Sequence, residues 1–526
     1  MSRFWQPNLE ALRGREDRET RALYEQLASR GPGANLGLKD REDNPLPGFL
    51  YQGRARSLIS TFDAAKEAQR WSQGWSGGTV AVFGGAGRRA ADALNGLQLA
   101  FWVEPRVEVW QSLFTWEDWT TWIERSEWIP IFRSPSDFQA LVLDRYHPLW
   151  DGAFRTLDWK AATNGQEALW DPYRGAVSAA LEALASDTST QARFGERWYR
   201  NALRNLKHLE EASVPGCPGA LVVVAGAGPT LGDALENPRN LRWLEERPET
   251  GDRLFSTDTA LPALTARGIA PDLVLCLDGQ LPTLHHFVPA RPAGVPLAAD
   301  LASLPLLGRV GMPVVRYLSG HPFGTVVRRV FPELPVLDGS LGNVSGLALN
   351  AALALGARHV ETWGVDFGYR NGQAYARGAY VYDLAQKLTS RLTPLESRLA
   401  ASCYGARGRQ RSRINTEVWD TTPLLRDYRE RWNGFSGTPA PIRLAHGGSG
   451  PRWETFSRDW HDRLESLPFP SDPSVSFHSF VRQLPTEQRQ DWLALWPLAL
   501  ALHRQSGASG HELLQTAKRR ALSLLD

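Results

Sequence analysis

Two tyrosines flank an Asn-Gly pair in the stretch WGVDFGYRNGQAYARG. Tyr369 and Tyr375 lie six residues apart, and Asp366 precedes them at the end of an apolar run that is typical of a buried strand. A tight turn requires only Asn371 and Gly372. The two phenols and the carboxylate are therefore candidates for contacts with a ligand, and a hairpin with flanking aromatic residues is the structural alternative.

A glycine-rich turn follows another apolar strand, in LVVVAGAGPTLGDALE. It contains Gly226, Gly228, Pro229 and Thr230 and leads into a helical stretch. Glycine lets backbone N–H groups approach a phosphate closely, and a helix N-terminus adds partial positive charge. Leu231 stands where a GxGxxG motif has its third glycine, and the sequence has no Walker lysine here. By itself the turn is equally typical of a nucleotide site and of a tight strand-to-helix connection.

Polar residues recur at the ends of further predicted strands in the same region. They are Asp258, Thr259, Asp278, His321, Gly339, Ser340 and Asn343. In an open α/β sheet, ligands bind outside the carboxyl ends of the strands. We therefore predict that these residues line one crevice with Asp366, although each one alone is typical of a cap or a turn.

Apolar strands alternate with helical stretches in the two regions that would position these residues. This alternation predicts an α/β protein, with a central doubly wound Rossmann-like domain, an N-terminal Rossmann-like domain before it and a helical C-terminal region after it. The predicted ranges are an N-terminal helical segment (1–56), the N-terminal Rossmann-like domain (57–150), a helical connector (151–213), the central catalytic domain (214–435) and the helical C-terminal domain (436–526).

The first of the two α/β regions carries the turn VFGGAG, and Glu104 follows the next predicted strand. Glycines for a phosphate and a carboxylate for ribose hydroxyls are what a nucleotide site would use. We favour a structural role for this domain. Further along, Trp116, Trp119 and Trp122 recur every three residues. This spacing favours an amphipathic helix that buries its aromatic face, and a binding platform is the less favoured alternative.

Composition narrows the class of protein. The chain has 526 residues, which predicts two or three domains, and its net charge of +2 gives no general electrostatic case for nucleic acid. The three cysteines lack the spacing of a metal site or a disulfide framework. No apolar run is long enough to cross a membrane, and the first residues have no apolar signal core. We expect a cytoplasmic protein without membrane insertion.

An ordered set of motifs resembles a known family. AGAGPTL, STDTALPALTARGIAPDLVLCLD, SGHPF and GSLGNVSGLALNAALALGARHVETWGVDFGY together look like the central domain of the motility-associated Maf flagellin glycosyltransferases. That family is described as similar to the 6-hydroxymethylpterin diphosphokinases. RARSLISTFDAAKEAQRW and LAHGGSGPRWE extend the likeness outward, so that it covers about residues 1 to 460.

A second, local resemblance concerns the opening stretch. It looks like the corresponding part of bacterial sialyltransferases that use CMP-sialic acid, in which two tyrosines hydrogen-bond the phosphate of the departing CMP. The resemblance assigns those roles to Tyr369 and Tyr375, without a metal. It places Gly226 to Thr230 near the nucleotide, Asp258, Thr259 and Asp278 along the crevice, and Gly339 and Ser340 near the cytidine or the donor sugar.

One catalytic group of the sialyltransferases has no counterpart here. They use a histidine downstream of the tyrosines as general base, whereas this chain has no histidine between His359 and His446. Glu417, Asp420 and His321 are the candidates that the sequence offers.

The resemblances imply a glycosyltransferase that moves a nonulosonic acid of the pseudaminic, legionaminic or sialic type from its CMP conjugate to Ser or Thr of flagellin. Two alternatives stay open. One is a 6-hydroxymethyl-dihydropterin diphosphokinase, for which Asp258, Asp278 and Asp366 would hold Mg²⁺ between phosphates. The other is a non-catalytic flagellin-binding factor. The first interpretation requires no cofactor, although Mg²⁺ is compatible with it.

Overall fold

The computed structural model describes residues 3–289, 292–405, 408–414, 416–470, 480–481, 483–507 and 510–525. Contacts between residues divide the chain into two units. The first comprises residues 1–190 and 468–485, and the second comprises residues 191–467 and 486–526. The five ranges predicted above divide the chain more finely and stay a prediction.

Two helices and a hairpin precede the first sheet. They are α1 (Trp5–Arg13), α2 (Arg18–Ala28), β1 (Gly48–Tyr51) and β2 (Arg54–Ser57). Gln52 and Gly53 both have positive φ, 49° and 75°, and form the turn between the antiparallel strands. The segment predicted as helical over 1–56 therefore ends in a hairpin. Positive φ at both turn residues matches the twist of the two antiparallel strands.

The first unit is built on a parallel sheet of four strands in the order β5-β4-β3-β6. The strands are β3 (Gly78–Phe83), β4 (Leu97–Val103), β5 (Trp128–Ile131) and β6 (Phe154–Asp158). Alternate residues of β3 belong to two apolar clusters, Val80 and Val82 to one and Ala81 and Phe83 to the other. Both faces of the sheet are therefore buried, as a parallel sheet requires.

Strand β6 lies inside the range predicted as a helical connector. None of its residues is fully buried, and its sequence, FRTLD, shows no alternation of apolar and polar residues. Its place in the sheet comes from pairing with β3, in which Val80 faces Arg155 and Val82 faces Leu157. This pairing is a tertiary contact that local sequence does not reveal.

Short helices surround this sheet. They are α3 (Ala64–Trp71), α4 (Arg88–Asp92), α5 (Val107–Trp116), α6 (Thr120–Ile123), α7 (Pro135–Arg145), α8 (Pro148–Asp151) and α9 (Lys160–Thr163). Trp119 and Trp122 are buried, and the ring of Trp119 meets that of Trp102 edge to face at 5.6 Å. The packing interpretation of these two tryptophans is confirmed, although α5 and α6 are separate helices.

Helix α10 (Glu167–Lys207) has 41 residues and spans the division between the units. Strand β7 (Ala212–Ser213) follows it and pairs with β17 (Ala445–His446).

The second unit is built on a parallel sheet of six strands in the order β12-β11-β10-β9-β8-β13. The strands are β8 (Leu221–Ala225), β9 (Arg253–Thr257), β10 (Leu273–Cys276), β11 (Leu297–Asp300), β12 (Val314–Tyr317) and β13 (His359–Trp363). The order reverses direction at β8, which has β9 on one side and β13 on the other. This is the doubly wound arrangement, whose binding crevice opens at the carboxyl ends where the order reverses.

Helices and a small antiparallel sheet complete the α/β part of the second unit. The helices are α11 (Leu231–Glu236), α12 (Pro238–Thr250), α13 (Leu261–Thr265), α14 (Leu284–Phe287), α15 (Phe323–Val327), α16 (Val344–Ala354), α17 (Tyr380–Lys387), α18 (Leu395–Tyr404) and α19 (Pro423–Asn433). The small sheet has the order β14-β16-β15, with β14 (Tyr369–Arg370), β15 (Gln410–Ile414) and β16 (Glu417–Thr421).

Three longer helices form the C-terminal part, as predicted. They are α20 (Gly450–Ser466), α21 (Thr486–Ser506) and α22 (Gly510–Leu525). The predicted α/β class with a helical C-terminal region is thus confirmed. Within the described ranges, no helix has the length and apolar character needed to cross a membrane.

Candidate active site

The turns that follow β8 and β13 are packed directly against each other. Gly226 N–H donates to Trp363 O and Gly228 N–H donates to Gly364 O, each at 2.8 Å. A methyl group added at Gly228 would clash with Asp366 Oδ2 and lie 2.7 Å from Gly364 O. The structure therefore gives both predicted phosphate-binding glycines a packing role, and their N–H groups already have carbonyl partners.

Asp366 ties the second turn to the first. Its carboxylate accepts hydrogen bonds from the backbone N–H of Thr230, at 2.8 Å, and from the Thr230 hydroxyl. Thr230 precedes α11, so the carboxylate takes the place of a cap at the start of that helix. Burial raises the pKa of Asp366, and the bonds from Thr230 oppose the shift. This geometry gives Asp366, a predicted ligand contact, a structural role in joining the two turns.

The Asn-Gly pair forms the predicted hairpin turn. Asn371 and Gly372 have φ values of 50° and 81°, as a two-residue turn between antiparallel strands requires. Asn371 Oδ1 also accepts from Val418 N–H at 2.8 Å. After the turn the chain returns to the glycine turn, where Ala376 N–H donates to Ala227 O at 2.8 Å. The hairpin therefore places Tyr375 beside the turn after β8.

The two tyrosines predicted to donate hydrogen bonds to a phosphate are half-buried and have free hydroxyls. Neither Tyr369 nor Tyr375 has a hydrogen-bond partner for its hydroxyl among the described residues. Burial raises the pKa of Tyr375 to about 12, with smaller contributions from Tyr380, Tyr369 and Asp258. Burial also raises the pKa of Tyr369. Both phenols thus stay protonated at neutral pH and are available as donors.

Asp258 anchors a cluster that the sequence pattern revealed only in part. Its Oδ1 accepts from Thr259 N–H at 2.8 Å, and its Oδ2 lies 3.1 Å from His286 Nδ1, off the line of a well-aligned hydrogen bond. Burial acts to raise the pKa of Asp258, but contacts with His286, Cys276 and Thr259 outweigh it and hold the pKa below its ordinary value. Asp258 is therefore an ionised, buried carboxylate.

Aromatic contacts join this cluster to the hairpin region. The ring of Tyr380, at the start of α17, lies 4.5 Å from the ring of His286. The chain between Tyr375 and Tyr380 passes along α13, so that a methyl group at Gly378 would lie 3.2 Å from Ala263 Cα. Neither His286 nor Tyr380 was predicted from the sequence. The only local signal was the His-His pair shortly after Asp278.

The remaining predicted binding residues act as caps and turn residues. Asp278 is exposed and accepts from Gln280 N–H at 2.9 Å. Ser340 bonds Asp338 through both its N–H and its hydroxyl, and Asn343 caps α16 by accepting from Gly346 N–H at 2.9 Å. Gly339 lies against Ser319, and Pro229 O accepts from Arg370.

Helix α10 occupies part of the sheet edge on the β10 and β11 side. Its Asn201 donates to the carbonyls of Gly279 and Ala302, each at 3.1 Å, and Asn205 donates to those of Leu301 and Ser303. These carbonyls follow the carboxyl ends of the two strands. Part of the sheet edge beyond β10 and β11 is therefore covered by α10.

Each of the three base candidates named from the sequence has contacts of its own. His321 Nδ1 accepts from Phe323 N–H, Nε2 is buried, and burial lowers the pKa of His321 to about 4. Asp420 is fully buried between two guanidinium groups, those of Arg409 and Arg411. Glu417 lies 3.6 Å from Arg370.

In the first unit, the chain's own carboxylates fill the glycine turn VFGGAG. Glu117 accepts from Arg88 N–H at the start of α4, and Glu104 is fully buried in an ion pair with Arg106 at 2.7 Å. Burial raises the pKa of Glu117 to about 7. A helix N-terminus that could receive a phosphate therefore holds a side chain, which agrees with the structural role favoured for this domain.

The second unit has two cavities whose linings do not include Tyr369, Tyr375, Tyr380 or His286. One of about 260 Å³ is lined by Asp366 and Phe367 of the turn after β13, by Arg411 of β15 and by Arg429 of α19, among others. The other, about 1080 Å³, lies on the β12 side and includes Asp338. Among the described residues, no three His, Cys, Asp or Glu side chains are grouped as metal ligands.

Part of the second unit is similar to a known family. The family model described as 6-hydroxymethylpterin diphosphokinase MptE-like matches residues 196–372, which include β8 to β13. Three uncharacterized proteins of Treponema pallidum (strain Nichols) are similar in sequence. Their identities are 28% over 189 residues, 24% over 333 residues and 31% over 120 residues.

The matching regions cover 35%, 62% and 22% of this chain. They span 66%, 67% and 53% of the relatives' own lengths, so the first and third matches fall short of two thirds.

A solved structure shares the fold of the whole chain. It is the MAf glycosyltransferase from Magnetospirillum magneticum AMB-1, which aligns with a TM-score of 0.53 over 99% of this chain and 94% of that chain. The aligned residues are 14% identical, so the likeness establishes the fold. The predicted resemblance to the Maf and pterin diphosphokinase families is thus supported at the level of fold and family model.

Proposed function

We propose that this protein is a glycosyltransferase that moves a nonulosonic acid, of the pseudaminic, legionaminic or sialic type, from a CMP conjugate to Ser or Thr of flagellin. The fold shared with a MAf glycosyltransferase over nearly the whole chain supports the class of reaction. The donor, the acceptor and the cytoplasmic location are our proposal and follow from the resemblances in sequence.

The observation that carries the proposal is the pair of unpartnered phenols. Tyr369 and Tyr375 are half-buried, protonated and held by a hairpin that is bonded to the turn after β8. Neither hydroxyl belongs to the set of fully buried, unpartnered polar atoms, so both reach solvent and can donate to a ligand. Two preorganised O–H donors at this point stabilise the negative charge that develops on a leaving phosphate.

The site also supports transfer without a metal. When the bond between the anomeric carbon and the phosphate breaks, its electron pair moves to the phosphate oxygen, and Tyr369 and Tyr375 donate to that oxygen. Asp366 keeps the two turns together through Thr230, so the phenols are presented by backbone that is held on both sides. Rigid presentation matters because a donor acts only at hydrogen-bond distance.

The test is release of CMP together with a change in acceptor mass. Purified protein is incubated with CMP-sialic acid, CMP-pseudaminic acid or CMP-legionaminic acid and with flagellin. We expect CMP to appear and flagellin to gain the mass of whole sugar units. Absence of turnover with all three donors, in protein that is folded, contradicts the proposal.

A second candidate is favoured by one specific observation, the match of residues 196–372 to the pterin diphosphokinase family model. That reaction would produce AMP from ATP in the presence of Mg²⁺ and a pterin alcohol. The three carboxylates suggested for Mg²⁺ have separate partners, since Asp366 bonds Thr230, Asp258 contacts His286 and Asp278 bonds Gln280. AMP formation that depends on Mg²⁺ would favour this candidate over the first.

A non-catalytic flagellin-binding factor stays as the third outcome. It predicts binding to flagellin that survives Tyr369→Phe and Tyr375→Phe, with no change in flagellin mass.

A further inference from the structure

We infer that His286 is the general base that deprotonates the acceptor hydroxyl and that Asp258 positions it. The inference rests on the proposed glycosyl transfer and names a residue that the sequence resemblance does not supply. Its basis is the placement of an imidazole between a buried carboxylate and the surface of the crevice.

The two carboxylate oxygens of Asp258 contact different residues. Oδ1 is held by the N–H and hydroxyl of Thr259, and Oδ2 faces His286 Nδ1 at 3.1 Å. A carboxylate at Nδ1 favours the tautomer that carries its proton there, which leaves the lone pair on Nε2. The Nδ1 contact is not yet well aligned, as is common before a substrate tightens a site.

The second ring nitrogen is the one available to a substrate. His286 Nε2 has no hydrogen-bond partner among the described residues, and it is absent from the set of fully buried, unpartnered polar atoms. The side chain keeps 11% of its surface accessible. A nitrogen with a free lone pair and contact with solvent is what a general base requires.

The imidazole and the two tyrosines proposed to bind the phosphate belong to loops at the same edge of the sheet. Asp258 follows β9, His286 belongs to α14 after β10, and Tyr380 begins α17 after the hairpin. Tyr380 contacts the His286 ring at 4.5 Å, and both Tyr380 and Asp258 act electrostatically on Tyr375. Groups from three different loops therefore come together at this edge of the sheet.

The other candidate bases are engaged in contacts of their own. His321 has its Nε2 buried, Asp420 is paired with two arginines, and Glu417 lies next to Arg370. The titratable groups shown in contact with His286 are Asp258 and Tyr380, and of these only Asp258 carries a charge at neutral pH.

The transfer balances with this assignment. His286 Nε2 takes the proton of the acceptor hydroxyl, and the oxygen's electron pair forms the bond to the anomeric carbon. The bond from that carbon to the phosphate oxygen breaks, and its electron pair leaves with CMP. The imidazolium formed is stabilised by Asp258 and later gives its proton to solvent.

The experiment compares an acceptor that needs a base with one that does not. His286→Asn and Asp258→Asn are assayed for CMP release from the donor that the wild type uses, with flagellin and separately with azide. Azide carries no proton at neutral pH and attacks carbon without a base. His285→Asn is the matched control, because His285 is the exposed neighbour on the same helix. Circular dichroism and CMP binding confirm that each variant is folded.

We expect His286→Asn to reduce transfer to flagellin by about 10²-fold to 10⁴-fold, the usual contribution of a general base. Release with azide should stay near the wild-type rate, and Asp258→Asn should show the same pattern with a smaller loss. Transfer to flagellin at the wild-type rate in His286→Asn overturns the inference. An equal loss with both acceptors also overturns it, because the residue would then serve binding or folding.

The same assay separates this inference from the proposed function. If the wild-type protein releases CMP with neither acceptor from any of the three donors, the proposed function fails and the inference fails with it. If the wild type is active and the histidine variants are not selectively impaired, only the inference fails.

Discussion

At the residue scale, the polar side chains of the candidate site differ in whether the chain itself provides their partners. Asp366 is satisfied by Thr230, and Asn343 is satisfied by Gly346 and Leu341. The hydroxyls of Tyr369 and Tyr375 have no partner among the described residues. Because both hydroxyls reach solvent and are not engaged by the chain, they are available as donors to a ligand.

Replacing either phenol tests that assignment. Tyr369→Phe and Tyr375→Phe should each lower CMP release by about 10²-fold, since one donor to a developing oxyanion is removed while the ring still packs. Steady-state kinetics with the CMP-sugar measures the loss. Tyr24→Phe, in the first unit, is the control and should behave like the wild type. Full activity in both site variants would contradict the role of the phenols.

Glu117 makes the stability of the first unit depend on pH. Burial raises its pKa from 4.5 to about 7. The folded state therefore binds this proton more tightly than the unfolded state, and the stabilisation, complete below about pH 4.5, is lost as the pH rises through 7. In Glu117→Gln this dependence should disappear, so the variant should gain up to about 3 kcal/mol over the wild type between pH 4.5 and 8.

Chemical denaturation at several pH values measures this gain. Glu108→Gln, at an exposed position on α5, is the matched control and should follow the wild-type curve. Parallel curves for Glu117→Gln and the wild type would show that the carboxyl ionises normally.

At the element scale, the turns after β8 and β13 act as one unit. The hydrogen bonds from Gly226 and Gly228 to the β13 turn, together with the bond from Ala376 to Ala227, join three segments that are distant in sequence. Glycine is required where these backbones approach, because a side chain would meet a carbonyl. The joined turns after β8 and β13 thus set the position of Tyr375.

Two glycines near the start of α11, Gly228 and Gly232, give a matched comparison. Gly228→Ala would place its methyl group against Gly364 O and Asp366, and should cost roughly 1–3 kcal/mol of unfolding free energy. Gly232 lies in α11, and a methyl group there would have no atom within 4 Å, so Gly232→Ala should stabilise by about 0.5–1 kcal/mol. Thermal and denaturant unfolding measure both. Equal effects of the two substitutions would contradict the packing role of Gly228.

At the scale of the whole molecule, the second unit includes the C-terminal helices as well as the six-stranded sheet. Asp491 of α21 is buried and forms ion pairs with Arg329, after α15, at 2.8 Å and with Arg463 of α20 at 2.6 Å. One carboxylate therefore joins two C-terminal helices to the α/β part. Removing one partner of a buried ion pair lowers the stability of the protein, because the remaining charge is left uncompensated.

Removing that carboxylate should destabilise the second unit as a whole. Asp491→Asn is expected to cost roughly 3 kcal/mol of unfolding free energy, with a lower midpoint in denaturant. Asp462→Asn, at an exposed position on α20, should leave the midpoint unchanged. Unchanged stability in Asp491→Asn would show that this carboxylate does not hold the helices to the α/β part.

The sequence by itself determined the class of fold and the local turns. Alternating apolar strands and helices predict a doubly wound sheet, and Asn371-Gly372 predicts its hairpin, because both signals depend on neighbours along the chain. The sequence also identified Tyr369, Tyr375 and Asp258 as residues near the sheet edge.

Only the tertiary structure decided which of these side chains are engaged and which are free. It paired Asp366 with Thr230, assigned β6 to the first sheet, closed one side of the crevice with α10, and brought His286 to Asp258. His286 and Asp258 come from loops after different strands, and their contact exists because β9 and β10 are neighbours in the sheet. Spacing along the chain cannot reveal such a contact, since strand order and side-chain packing, which create it, depend on the free energy of the whole fold.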